Sequence, residues 1–204
     1  MYVPLHTIVH NDAIATAGEV LSHELLFRTG IVSHLASAVV LLMLSVVLYK
    51  LFKDVHAHQA RLLVLLMVVQ VPIVFILESF KLTTLITLKG QVLKDISLQQ
   101  MQSLAMLFLK IHGSGIVLLE LFWGLWLIPF AVLIYNSRFA PRLLAWLLLF
   151  AGLGYAVDSA TTILFPHYHS FTQKIAFLFS GLGELSVIGW LLRKGIKSQP
   201  VLSA

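Results

Sequence analysis

The sequence predicts an all-α, polytopic integral membrane helical bundle with about five transmembrane helices, preceded by an amphipathic surface helix. Of the 204 residues, 59% are hydrophobic and 11% are charged, and the mean hydropathy is +0.93. A soluble domain carries about 25% charged residues, so a soluble fold of this length has too little interior to bury such an apolar excess. The apolar residues also form five runs that are long enough to cross a bilayer as helices.

Residues 1–30 are more polar than the rest, but they have helical spacing. The apolar residues that fall along one stripe are Ile14, Ala17, Leu21, Leu25 and, less strictly, Ile31. This pattern predicts an amphipathic helix that lies on the outer surface of the membrane. The opening MYVPLHTIVH lacks the basic and apolar regions of a signal peptide.

The five apolar runs make up the predicted transmembrane bundle, residues 31–193. They lie at 31–48, 62–82, 104–135, 143–165 and 175–192. Pro72 interrupts the second run, Pro129 lies near the end of the third, and Pro166 ends the fourth. The third run is longer than a hydrocarbon core of about 30 Å requires, so we expect it to tilt, kink or protrude. Residues 194–204 form a predicted cytoplasmic tail.

The distribution of lysine and arginine predicts the orientation. Eight of these residues flank the first connection, the third connection and the tail: Lys50, Lys53, Arg61, Arg138, Arg142, Arg193, Lys194 and Lys197. Three lie in the second and fourth connections: Lys89, Lys94 and Lys174. Because positive residues collect on the cytoplasmic side, we predict an outside N-terminus and a cytoplasmic C-terminus. The net charge of +5 is thus explained by membrane flanks, and we expect no nucleic-acid partner.

Four segments give the sequence a family resemblance. They are DAIATAGEVLSHELLFRTG, LFLKIHGSGI, YNSRFAPRLLAWLLLFAGLGYAVDS and GELSVIGWLL, and they span about residues 11–193. In this order they resemble the bacterial domain-of-unknown-function family 4386. The resemblance implies a multi-pass protein of the bacterial cytoplasmic (inner) membrane, and it supplies no activity. The family has a hydrophobic helix ahead of the first segment, so this chain is either a short member or begins upstream. It also has His34 where the family often has an acidic residue.

Ionisable side chains lie within or at the ends of the predicted spans, although each costs about 2.5–3.5 kcal/mol in hydrocarbon. They are His34, Glu78, His112, Glu120, Asp158 and Glu184. At about 1.5 Å per residue, all except Glu120 fall in the outer half of the membrane in the predicted orientation. We predict that these five line one outward-opening polar pocket, with His23, Glu24 and Arg28 at its rim.

The chemistry of such a pocket has several alternatives. Imidazole and carboxylate groups bind zinc or iron, relay protons or hold a cationic substrate. Alternatively, each group is paired locally, for example Glu78 with Lys81 at i, i+3 and His112 with a backbone carbonyl. No HExxH pair places two metal ligands on one helix. We therefore predict no resident cofactor, and zinc or iron if a metal binds.

Pairs of glycines lie beside several of the ionisable residues. They are Gly113 and Gly115, Gly152 and Gly154, and Gly181 and Gly183. We predict that they allow close packing of the third, fourth and fifth spans, because glycine lets a neighbouring backbone approach. The alternative is that they make room for a ligand or a lipid headgroup.

Three functional hypotheses follow from these residues. The first is a non-enzymatic protein whose pocket binds a small ligand, lipid or ion, as a transporter-like or sensor component or as an accessory subunit. The second is an intramembrane metal-dependent lipid hydrolase, which needs three of the pocket residues within coordination distance. The third is a purely structural subunit.

The expected partners are the lipid bilayer and a homo-oligomer or larger membrane complex, because five spans cannot form two equal repeats. The absence of cysteine excludes disulfides, thiolate metal sites and cysteine nucleophiles.

Overall fold

The computed structural model describes residues 12–90, 95–137 and 140–194, and it is helical throughout these ranges apart from short connections. The helices are α1 (Ala13–Ser22), α2 (Glu24–Phe52), α3 (Ala57–Val68), α4 (Gln70–Leu88), α5 (Leu98–Ser137), α6 (Arg142–Leu164) and α7 (His169–Lys194), with a 3-10 turn at Pro166–Tyr168. The predicted all-α fold is confirmed. The predicted tail at 194–204 lies outside the described residues except for Lys194.

Among the described residues, five helical segments are long and apolar enough to cross a membrane, as the sequence predicted. They are Glu24–Phe52, Ala57–Leu88, Leu98–Ser137, Arg142–Leu164 and Pro166–Arg193. Large apolar side chains on these segments are exposed, such as Leu25 (78%), Phe177 (80%) and Leu192 (84%). Exposed apolar side chains in such number require contact with lipid. The chain is therefore a multi-pass membrane protein.

Prolines act differently in the second and third of these segments. Pro72 lacks the N–H that would bond to the carbonyl of Val68, and the helix is broken there into α3 and α4. Pro129 lies inside α5, and this helix continues across it for a total of 40 residues. At 1.5 Å per residue α5 is about 60 Å long, twice the hydrocarbon thickness.

The described residues divide into two compact units. The first consists of the described residues of Met1–Ser45 and Met67–Leu119, and the second of those of Val46–Leu66 and Glu120–Ala204. The first unit therefore holds α1, α4 and the N-terminal parts of α2 and α5. The second holds α6, α7, most of α3, and the C-terminal parts of α2 and α5.

The first unit has a core of apolar side chains from α1, α2, α4 and α5. Its members are Ala17, Val20, Phe27, Ile31, Leu85, Leu88, Ala105 and Leu109, with Leu35 packed against them. The helix predicted near the N-terminus is present as α1, and Asp12 caps it by accepting hydrogen bonds from the N–H groups of Ile14 and Ala15. Its buried side is Thr16, Ala17 and Val20, whereas Ile14 and Leu21 of the predicted stripe are exposed.

Glycines set the packing of the second unit. A Cβ at Gly152 would lie 2.7 Å from the carbonyl oxygen of Gly124 on α5, and one at Gly183 would lie 2.8 Å from that of Leu147 on α6. Gly154 faces Ala176 of α7. The predicted close packing of spans three, four and five is therefore confirmed for these positions. Gly181, in contrast, has no heavy atom of the described residues within 4 Å of its Cβ position.

Candidate functional site

Three helices of the first unit bring two histidines and one glutamate together. His34 comes from α2, Glu78 from α4 and His112 from α5. Nδ1 of His34 lies 2.6 Å from Oε1 of Glu78, and Nε2 of His112 lies 3.1 Å from the same oxygen. The three ligand atoms all lie within 4.8 Å of one another. We call these three residues the His–Glu–His cluster.

A lysine completes the surroundings of the carboxylate. Lys81 follows Glu78 by three residues on α4, and its Nζ lies 3.2 Å from Oε1. The i, i+3 pair predicted from the sequence is thus present, although it is buried and shared with both histidines. The side chain of Glu78 is 1% exposed and that of Lys81 is 13% exposed, so solvent screens their interaction weakly.

The two oxygens of Glu78 have unequal surroundings. Oε1 receives all three nitrogen contacts, from His34, His112 and Lys81. Among the residues that the structure describes, no group donates a hydrogen bond to Oε2, which is itself buried. A buried acceptor without a donor costs about 1–3 kcal/mol, and more when it is charged. A cation bound at Oε2 would therefore stabilise the cluster most, because it would remove this cost.

The geometry of the cluster suits a metal ion after small adjustments. Zinc binds histidine nitrogens and carboxylate oxygens at about 2.0–2.2 Å, so its ligand atoms in a tetrahedral site are about 3.4 Å apart. The observed separations of 2.6 and 3.1 Å between Glu78 and the two rings are shorter than this by less than about 1 Å. Rotation of the side chains would open the required space, and three protein ligands would leave at least one coordination position open.

A second ion pair network marks the end of the first unit where α2 begins and α4 ends. Oε1 of Glu24 accepts hydrogen bonds from Nε of Arg28 at 2.8 Å and from Nζ of Lys89 at 2.7 Å. Along α2, His34 lies ten residues beyond Glu24. This corresponds to about 15 Å of helix. Of the three predicted rim residues, Glu24 and Arg28 thus join this network, while His23 lies 3.3 Å from Glu19 on α1.

The other two predicted pocket residues belong to the second unit, where each has partners of its own. Oδ1 of Asp158 accepts a short hydrogen bond from Oγ1 of Thr172, and Nδ1 of His169 lies 3.5 Å away from it. Oε1 of Glu184 accepts a hydrogen bond from the hydroxyl of Tyr155 at 3.1 Å. A single pocket that contains all five predicted residues stays a prediction.

Glu120 also belongs to the second unit, and it differs from the other acidic residues. Its Oε2 is buried and has no hydrogen-bond donor within the described part of the chain. The residue as a whole is only partly buried. From the sequence, Glu120 is predicted to lie deepest in the membrane among the ionisable residues, outside the pocket. In the structure, Glu120 is not a member of the His–Glu–His cluster.

Several partners of these residues had no signal in the sequence. Thr172 and Tyr155 are uncharged, and such side chains are common in membrane helices without a polar role. His169, the last residue of the segment HYH at 167–169, begins α7, and its Nδ1 is 2.6 Å from Oγ1 of Thr162. In the segment HAH at 56–58, the ring of His56 accepts a hydrogen bond from the N–H of Gln59 near the start of α3.

Comparison with known proteins gives one family. The family model described as Domain of unknown function (DUF4386) matches residues 1–195. No curated protein and no solved structure matches the chain. The match agrees with the resemblance of the four sequence segments.

Proposed function

We propose that this chain, which belongs to the DUF4386 family, is a multi-pass membrane protein that binds a divalent metal ion, zinc or iron, at the His–Glu–His cluster. Of the small ligand, lipid or ion that the sequence predicts for the pocket, this proposal selects the ion. The observation that carries the proposal is the convergence of His34, Glu78 and His112, within 4.8 Å of one another, around a carboxylate whose second oxygen is buried without a donor among the described residues.

The types of ligand favour zinc or iron over other common cations. Two imidazoles and one carboxylate form the ligand set of several catalytic zinc sites and of non-haem iron sites. Calcium and magnesium prefer oxygen ligands, and the cluster offers them a single carboxylate. The absence of cysteine removes the thiolate ligands of structural zinc sites.

The competing interpretation is a buried ion pair network with no ligand, in which Lys81 balances the charge of Glu78 and the two histidine rings donate hydrogen bonds to its carboxylate. Such a network is most stable when each carboxylate oxygen has its own donor, because buried acceptors are rarely left without one. The unequal distribution of donors between Oε1 and Oε2 is the feature that this interpretation does not explain. A cation shared by the two oxygens and the two rings does explain it.

A metal-dependent lipid hydrolase is the second candidate. It is favoured by the number of ligands, since catalytic zinc sites have three protein ligands and keep one position for water or substrate. We also propose that the protein lies in the bacterial cytoplasmic membrane, as the family resemblance implies, with its N-terminus outside, as the charge of its connections indicates. Five spans also favour a homo-oligomer or a place in a larger membrane complex.

Metal analysis of purified protein tests the proposal. The chain is purified in detergent, stripped with a chelator, loaded with zinc or ferrous iron and desalted, and its metal content is then measured. We expect about one ion per chain for the wild type and a loss of most bound metal for His112→Gln and Glu78→Gln, because each removes one of three ligands. His58→Gln serves as the matched control, since His58 is an exposed histidine in the HAH segment.

Clear outcomes would contradict the proposal. A wild-type protein that elutes as a folded species and holds far less than one zinc or iron ion per chain would exclude a metal centre. Equal metal content in the wild type and in His112→Gln would place the metal elsewhere. Thermal unfolding of each variant in the chelated state shows whether a loss of metal merely reflects a loss of fold.

A further inference from the structure

We infer that the metal ion binds at the His–Glu–His cluster together with an anion, a phosphate or carboxylate group, which the ion and the ammonium of Lys81 hold between them. The inference rests on the proposed metal site and adds the chemical class of its ligand. Its starting point is the position of Lys81, whose Nζ lies 3.2 Å from the same oxygen of Glu78 that both rings approach.

With a divalent ion bound, the cluster would carry an excess of positive charge. The carboxylate of Glu78 and the ammonium of Lys81 cancel each other, and imidazoles that coordinate a metal are neutral. A divalent ion would therefore bring a net charge of about +2 into surroundings where Glu78 is 1% and Lys81 13% exposed. Burying uncompensated charge is strongly unfavourable, so the occupied site needs an anion.

The described residues of the first unit place no second carboxylate in the group of possible metal ligands that includes Glu78. Glu24 already accepts hydrogen bonds from Arg28 and Lys89, about 15 Å along α2 from His34. Glu19 lies on α1, where it is paired with His23. With no second carboxylate in this group, we assign the compensating charge to a bound ligand.

The donors of Lys81 are placed to hold such a ligand. Its ammonium has three N–H donors, and Glu78 is its one hydrogen-bond acceptor within the described part of the chain. Three protein ligands leave a coordination position open on the ion. Nζ of Lys81 lies 3.2 Å from Oε1 of Glu78, so an anionic oxygen that binds the ion beside this carboxylate could also accept a hydrogen bond from the ammonium. The ion and the ammonium would then share the ligand.

Phosphate groups from lipid headgroups and from solution have the same chemistry, so the experiment uses both sources. Zinc affinity is measured by competition with a fluorescent chelator, on protein in a maltoside detergent, which carries no phosphate. One arm adds inorganic phosphate, and another adds phosphatidic acid to the micelles. Acetate provides the carboxylate arm. The chelator alone, titrated in each buffer and lipid, corrects for zinc that the anion itself removes.

We expect at least one of these anions to tighten zinc binding of the wild type by about tenfold, within the usual range of coupling between two ligands. The arm in which this happens identifies the source. In Lys81→Met the metal still binds, but the effect of the anion falls below about twofold. Lys81→Arg retains the effect because it keeps the positive donor. Lys53→Met, at an exposed position in the second unit, is the control for the loss of one positive charge.

Two results would overturn the inference and would leave the metal site in place. One is a wild-type zinc affinity that is the same in every arm, and tighter zinc binding by Lys81→Met would then make Lys81 a competing cation. The other is an anion effect that Lys81→Met retains in full. Absence of zinc binding in all arms would instead contradict the proposed function itself.

Discussion

Glu78 and Lys81 depend on each other because both are largely withdrawn from solvent. Their charges are separated by 3.2 Å on one face of α4. Removing one member of a buried pair leaves the other charge without a partner, and this costs about 3–5 kcal/mol, whereas replacing both with apolar side chains is often neutral. The stability of the metal-free protein should therefore depend on the pair as a unit.

We predict that Glu78→Met lowers the free energy of unfolding of the chelated protein by about 3–5 kcal/mol. The double variant Glu78→Met, Lys81→Met should recover most of this loss, because no buried charge is left unpaired. Unfolding in detergent, followed by circular dichroism, gives the free energy of unfolding of each of the four proteins in the double-mutant cycle. Independent, additive losses would show that the two residues do not interact.

A second residue-scale prediction concerns Asp158, which is 2% exposed and accepts a hydrogen bond from Thr172. Thr172→Val keeps the shape of the side chain and removes the donor, so we expect a loss of about 1–3 kcal/mol in the free energy of unfolding. The matched control is Thr83→Val, because the hydroxyl of the partly buried Thr83 donates an exposed hydrogen bond to the carbonyl of Ser79. Similar small losses in both variants would mean that Thr172 contributes little to the environment of Asp158.

The sequence identified the members of the candidate site but not their arrangement. His34, Glu78 and His112 could be found because ionisable side chains stand out in apolar runs and are costly there. Which of them meet depends on how each helix is rotated about its axis, and the weak amphipathicity of a membrane helix carries little information about rotation. Thr172 and Tyr155 had no comparable signal, because their side chains cost little in a membrane.

At the scale of helices, the glycine pairs illustrate what spacing alone can predict. Residues two apart on a helix point about 200° away from each other, so both members of a pair cannot face the same neighbour. Gly152 accordingly faces Gly124 of α5, while Gly154 faces Ala176 of α7, which places α6 between these two helices. In α7 only Gly183 of its pair meets a neighbour among the described residues, and Gly181 is open.

This difference gives a prediction about two substitutions of the same kind. Gly152→Ala should lower the free energy of unfolding by about 1–3 kcal/mol, because its methyl group would overlap the backbone of Gly124. Gly181→Ala should leave stability unchanged or raise it by up to about 1 kcal/mol, because alanine is the better helix former. Thermal unfolding of both variants in the same detergent makes the comparison. Equal effects would contradict the close contact between α5 and α6.

At the scale of the whole molecule, length and hydropathy predicted correctly that the described residues contain five long apolar helical segments, and local chemistry determined where they end. The segment predicted at 31–48 belongs to α2, which begins at Glu24. Helices extend beyond their apolar runs because flanking polar residues also form intrahelical hydrogen bonds. The orientation of the chain in the membrane, unlike the helix bounds, depends on the charges in the connections and on the membrane that surrounds the protein.

Orientation is testable because the chain contains no cysteine, so a single introduced cysteine is the one site that a maleimide can label. Asp54 in the first connection and Asp95 in the second are both exposed, and they form a matched pair for substitution. We predict that a membrane-impermeant maleimide labels Asp95→Cys in intact spheroplasts and labels Asp54→Cys only after permeabilisation, because the first connection carries more positive charge. Labelling of both variants after permeabilisation is the control for reactivity. The reverse pattern would place the N-terminus in the cytoplasm, with the His–Glu–His cluster in the half of the membrane that faces it.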